Sequence, residues 1–369
     1  MAKQKKKNKR LKLWLSALLL IVLVVITMSS IFKDFELATF INVISEAKLR
    51  YIFISLAMVG LYIFFESFAF KIVMKSLKHK ITWRGAIAYS SCDYFFSGIT
   101  PSATGGQPFQ VFYMKKDGVP IHKSTIGILL NTIMYKMVLM VLGLFAVCLF
   151  PDILTSTGTL GTILFILGFS INVICVVACF MAIYWKSLIT KIGHFVIRKL
   201  VRFKVFKNAD SKIEKFDKKM DDYSRSAHYL NENRYIGLKL FIVNLLQRVA
   251  LFSITYFVYR ALVPASSASF LYLISIQIIV ALCVDSMPFP GGTGLSELLL
   301  STIYSIVYFG SEKITSALLL TRGINFYFAL LLTGLIVLVN HIILMGKHRS
   351  RIDIHEEIEE ENEKEVLQW

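Results

Sequence analysis

Apolar runs of about 20 residues recur along this chain, and each is long enough to cross a bilayer as a helix. They cover residues 13–31, 51–74, 124–150, 162–184, 236–262 and 314–345. In hydrocarbon every backbone N–H and C=O needs a partner within the protein, so these runs are predicted to be helices rather than open strands. The expected fold class is an all-α polytopic membrane protein with about six full crossings. Hydrophobic residues make up 56% of the chain and the mean hydropathy is +0.62, which excludes an ordinary soluble domain.

Two further apolar stretches are interrupted. Residues 285–297 place Pro288, Pro290, Gly291, Gly292 and Gly294 between Asp285 and Glu297, with apolar sequence on both sides. Residues 97–108 do the same with Pro101, Gly105, Gly106 and Pro108. Four of the chain's seven prolines lie in these two stretches, too uneven a spread for loop punctuation. Proline removes a backbone donor and glycine admits conformations that other residues avoid, so no helix runs through either stretch unbroken. Free backbone groups at membrane depth are tolerated where they are buried in protein or line a polar cavity. Paired breaks in two halves of a chain point to a transporter-type site at the repeat interface. The plainer alternative is a pair of ordinary turns outside the membrane.

Basic residues orient the chain. Residues 1–12 form a basic tail ahead of the first crossing, and Lys75, Lys78, Lys80 and Arg84 follow the second. Residues 185–235 hold thirteen Lys or Arg against six Asp or Glu. All three segments are therefore expected in the cytoplasm. Residues 85–117 begin and end on that basic side, as a re-entrant unit would, and residues 270–308 form its mirror, entered from the other face. The expected organisation is a first membrane half at 13–184, a basic helical interval at 185–235, a second half at 236–346 and an acidic tail at 347–369. Both termini then lie in the cytoplasm. In the interval, Leu188, Ile192, Phe195, Val196, Leu200 and Phe203 fall on one side of an interfacial helix. Ile213, Phe216, Met220, Tyr223, Ala227 and Leu230 recur at the spacing of a helix packed on a partner.

Charges inside apolar runs are costly, so each is a functional candidate. Asp93, Asp285 and Glu297 flank the breaks, Arg322 follows the second, and Glu66, Lys136 and Arg248 lie on crossings. Helices restarting near Gln107 and Leu295 would aim positive dipole ends, and glycine N–H groups, at an anion such as a phosphodiester. The plainer alternative for any one charge is an internal salt bridge. The five cysteines are scattered, no CxxC occurs, and no HExxH, GxSxG or P-loop pattern is present, so no metal, cofactor or nucleotide site is expected. The net charge of +17 is assigned to the membrane flanks rather than to nucleic acid.

On these residues the chain resembles the flippase-like membrane domain of the lysylphosphatidylglycerol synthase family. In the first half Pro101, Gly105, Gly106, Gln107 and Pro108 match the family pattern. In the second half Pro288, Pro290, Gly291, Gly292, Gly294 and Glu297 match, with Arg322 and Gly334 beyond them. Gln107 stands where many members have glutamate, and Gln110 where many have arginine, which lowers the charge at the first break. The resemblance implies movement of an anionic or aminoacylated phospholipid, or a lipid-linked headgroup, between leaflets of a bacterial cytoplasmic membrane. The implied substrate-binding set is Asp93, Pro101, Gly105, Gly106, Gln107, Gln110, Asp285, Pro290, Gly291, Gly292, Gly294, Glu297 and Arg322, with no catalytic residue. The two-part synthases carry a soluble acyltransferase domain after the membrane part, and the seventeen residues 353–369 cannot form one. Lysyl transfer to phosphatidylglycerol, alone or with a separate soluble enzyme, is the alternative; a membrane scaffold is a further one. Self-association stays open.

Overall fold

The computed structural model describes residues 37–100, 105–202, 209–231, 235–264, 268–285, 294–307, 313–344 and 346, and among these every regular element is helical. The protein is an all-α polytopic membrane protein. The basic tail, the first predicted crossing and the acidic tail lie outside the described residues, as do Pro101, Pro288, Pro290, Gly291 and Gly292.

The chain divides into two units, one spanning residues 37–330 and the other contributing the apolar helical stretch 331–344 to the description. The larger unit opens with α1 (Leu37–Glu46) and α2 (Leu49–Ser76). The first interrupted stretch becomes two arms, α3 (Trp83–Ile99) and α4 (Gly106–Lys116). There follow α5 (Ile121–Leu149), the short α6 (Pro151–Ser156) and α7 (Gly158–Tyr184). The basic interval folds as α8 (Lys186–Arg202) and α9 (Ala209–Asn231). Then come α10 (Ile236–Leu262) and the second pair of arms, α11 (Phe270–Val284) and α12 (Leu295–Val307). Last in this unit is α13 (Lys313–Arg322), continued by a π-helical turn at Gly323–Phe328.

Among the described residues, five helical stretches are long and apolar enough to span a bilayer: α2, α5, α7, α10 and Lys313–Leu344. The arms of the interrupted units are shorter. At 1.5 Å per residue the 15 residues of α11 reach only about 22 Å, less than the hydrocarbon thickness.

Local chemistry explains the breaks and turns. Thr82 accepts a hydrogen bond from the Gly85 N–H at 3.1 Å and starts α3. At its far end the Thr100 hydroxyl donates to the Phe96 carbonyl at 2.6 Å and accepts from the Gly105 N–H at 2.9 Å, turning the chain into α4. Phe96 and Phe109 then stack at 3.8 Å across the two arms. A Cβ on Gly106 would stand 2.3 Å from Asp93 Oδ1 and 2.2 Å from Ser97 Oγ, so only glycine lets α4 start against α3. In the second unit Gly294 takes φ +82°, and Glu297 at the third helical position reaches back to its N–H at 2.6 Å, half of a capping box.

α7 and α11 touch at Gly168, where a Cβ would lie 2.1 Å from the Leu282 carbonyl oxygen. Gly168→Ala is expected to force the helices apart at a cost of about 1–2 kcal/mol, read as a lower Tm of the detergent-solubilised protein. An unchanged Tm would contradict this packing.

The basic interval forms a helical hairpin. Lys186 pairs with Asp221 at 2.6 Å and His194 with Asp217 at 2.7 Å, and Lys186 holds the Asp221 carboxyl below its usual range. Met220, Tyr223, Ala227 and Leu230 are buried, so the predicted apolar stripe of α9 does pack on partners, and the Tyr223 hydroxyl donates to the Ala182 carbonyl at 2.8 Å. Ile192, Phe195 and Val196 of α8 are exposed, with the Lys199 ammonium 5.6 Å over the Phe195 ring; Phe203, from the same predicted side, lies outside the described residues.

Candidate functional site

Polar side chains spaced three, four and seven residues apart on apolar helices turn one stripe of each helix inward. On α2 the pair is Tyr62 and Glu66, on α5 it is Asn131 and Tyr135, and on α10 the stripe is Asn244, Gln247 and Arg248 followed by Leu251. These stripes converge with the inner ends of both broken units around a cavity of about 320 Å³. Asp93, Tyr94 and Ser97 reach it from α3, Gln107 and Gln110 from α4, Asp285 from the end of α11, and Arg322 and Asn325 from α13 and the π-helical turn. Both interrupted stretches thus contribute to one polar cavity.

Two ion pairs bridge its wall. Lys136 of α5 donates to Asp285 Oδ2 at 2.7 Å and to Asn172 Oδ1 of α7 at 2.8 Å. Arg322 Nε lies 2.7 Å from Glu297 Oε1. Lys136 and Arg322 are 6% and 8% exposed, so both pairs are largely withdrawn from solvent. The Arg322 guanidinium also sits 4.5 Å over the Phe326 ring.

Arg248 is placed differently. Its guanidinium stacks 4.5 Å over Tyr135, and its Nε is buried with no hydrogen-bond acceptor among the described residues. Glu66, 8% exposed, accepts from Asn131 Nδ2 at 2.8 Å on Oε1 and from Gln247 Nε2 on Oε2. Asn131 in turn accepts from Asn244 at 3.2 Å. Gln107 donates to Thr132 at 3.0 Å, and Tyr94 donates to the Asn325 carbonyl at 2.6 Å. That carbonyl belongs to the π-helical turn, a kind of turn that recurs at functional sites.

Of the predicted site residues, Asp93, Gln107, Gln110, Asp285 and Arg322 line the cavity. Glu297 stands behind Arg322 as its ion-pair partner and as the cap of α12. Two glycine N–H groups expected to face a ligand are already used, Gly105 by Thr100 and Gly294 by Glu297. Gly105 and Gly106 instead permit close approach of α4 to α3. Pro101, Pro290, Gly291 and Gly292 fall outside the described residues.

The ionisable groups at the cavity nearly cancel. Glu66, Asp93, Asp285, Arg248 and Arg322 line the cavity, and Lys136 and Glu297 pair with two of them. Four acids stand against three bases, a formal charge of −1. Glu66, Asn131, Tyr135 and Arg248 belong to the cavity although the motifs did not name them as binding residues. Their helical spacing on apolar runs was the signal.

Comparison with known proteins agrees with the architecture. The family described as "Lysylphosphatidylglycerol synthase TM region" matches residues 13–333. A UPF0104 membrane protein of Archaeoglobus fulgidus is 25% identical over 244 residues, covering 64% of this chain and 70% of that protein.

Proposed function

The chain belongs to the lysylphosphatidylglycerol synthase transmembrane-region family, and from that premise and its cavity we propose that it moves a phospholipid or lipid-linked headgroup between the leaflets of a bacterial cytoplasmic membrane. The observation that carries the reading is Arg248: a buried guanidinium with an unused donor, facing a polar cavity among apolar helices. A headgroup crossing hydrocarbon loses its hydration, at a cost of many kcal/mol for an unpaired ion. A charged and amide-lined cavity replaces that hydration while the acyl chains stay in lipid.

Arg248 and Arg322 are suited to a phosphodiester through charge-assisted hydrogen bonds. Asp93, on the same cavity, is suited to a cationic group such as an amine. The presence of both signs of charge therefore favours headgroups bearing both signs as well as simple anions. In this reading the basic segments and both termini face the cytoplasm.

The test is translocation of fluorescent phosphatidylglycerol in liposomes containing the purified protein, read by chemical quenching of the outer leaflet. Quenching beyond the outer-leaflet half is expected, and Arg248→Gln should slow it at least about tenfold, the loss of one charge-assisted hydrogen bond. Quenching equal to that of empty liposomes would count against the reading. A new lysyl-lipid in expressing cells would favour lysyl transfer instead.

A further inference from the structure

The cavity holds one more acid than base, and Glu66 and Asp93 are the acids outside the described ion pairs. A net charge at this depth is costly unless something neutralises it. Glu66 sits ten residues from the end of α2, about 15 Å of helix, and so well inside the span.

Its two oxygens have different surroundings. Oε1 accepts from Asn131 Nδ2, whose orientation is set because Asn131 Oδ1 accepts from Asn244. That side always offers a donor. Oε2 meets Gln247, a residue with no solvent exposure, whose Nε2 faces Glu66 while its own Oε1 is buried without a partner. A half turn of the glutamine amide exchanges donor for acceptor. An ionised Glu66 accepts from Nε2; a protonated Glu66 donates from Oε2 to Oε1 of the turned amide. Both protonation states are therefore satisfied by the same pair of side chains.

We propose that Glu66, switched against Gln247, carries a proton through the cavity and couples headgroup movement to a transmembrane proton gradient. The proposal rests on the translocase reading given above. An O–H bond forms at Glu66 Oε2 with a proton from water entering on one side, and breaks when that proton leaves to water on the other. Protonation brings the cavity's formal charge from −1 to 0, which removes repulsion against an entering phosphate. The charged groups facing Glu66 are Asp93 from α3 and Arg248 from α10; Asn131 of α5 and Gln247 of α10 face it as neutral amides, and Tyr62 lies one turn away on α2. Arg248 and Asp93 thus set one charge of each sign beside Glu66 on the same cavity.

The experiment uses liposomes of phosphatidylglycerol and phosphatidylcholine with a trapped pH-sensitive dye and a fluorescent phosphatidylglycerol probe, with and without an imposed pH gradient. The expected result is exchange that responds to the gradient and a dye signal showing proton movement, both responses being lost in Glu66→Gln. Gradient-independent exchange without proton movement would overturn the coupling and leave the translocase standing. Exchange no faster than in empty liposomes would count against the translocase. Infrared difference spectra then decide the proton site. A titrating carboxylic-acid band lost in Glu66→Gln supports it, and a band unchanged in that variant overturns it. If Glu66→Gln does not fold, Gln247→Met keeps the carboxyl but removes its switching partner. Its band should titrate at a shifted midpoint, and an unshifted midpoint overturns the switch.

Discussion

Replacing Lys136 by methionine is expected to destabilise the protein by about 3–5 kcal/mol, the cost of stranding a buried carboxylate by removing its partner. Lys136 is the single cation within hydrogen-bond reach of Asp285 among the described residues, and it also donates to Asn172, so α5, the end of α11 and α7 all meet at its ammonium. Loss of Lys136 leaves Tyr135 as a weak donor at 3.5 Å from Asp285. The double variant Lys136→Met with Asp285→Leu removes both charges and should recover most of the lost stability, because two apolar groups replace an ion pair at little cost. Thermal unfolding in detergent compares the three proteins. A single variant as stable as the wild type would show that the pair contributes little.

Glu297→Ala is expected to cost about 3 kcal/mol, with Glu297→Gln costing clearly less. Glu297 has two duties at once: Oε2 accepts from the Gly294 N–H, and Oε1 pairs with the buried Arg322. Alanine removes the cap and the counter-charge together. Glutamine keeps an acceptor for the cap and loses only the charge, so the difference between the variants measures the capping contribution. Arg322 carries the second break's cation to the cavity wall, and its orientation depends on Glu297. Translocation should therefore fall in both variants, while unfolding separates them. Equal unfolding temperatures for the two would contradict the dual role.

Apolar length alone made the spans legible, since a run of 23 to 32 residues with few charges leaves a chain in lipid little choice but helix. Proline and glycine marked the breaks, and α4 and α12 do restart where the sequence predicts, at Gly106 and Leu295. What glycine does there was less legible. A glycine that frees an N–H for a ligand and one that lets two helices touch look identical in sequence, and Gly106 is of the second kind.

Long-range pairing was not legible either. Lys136 and Asp285 lie 149 residues apart, and nothing local says that one neutralises the other. The same holds for Glu66 and Gln247, 181 residues apart. Each had been visible as an isolated polar residue on an apolar helix, and the excess of one acid appears only when the pairs are known. The π-helical turn at Gly323–Phe328 also escaped the sequence, because its composition differs little from the apolar helix around it.

The most direct test of the account asks whether the cavity is the path. In a variant with its five cysteines replaced, a single cysteine at Ser97, on the cavity wall, is labelled with a bulky maleimide and compared with one at Leu144, 50% exposed on the outer face of α5. Labelling at Ser97→Cys is predicted to stop movement of fluorescent phosphatidylglycerol, and labelling at Leu144→Cys to leave it unchanged. Full transport through the Ser97-labelled protein would contradict the account.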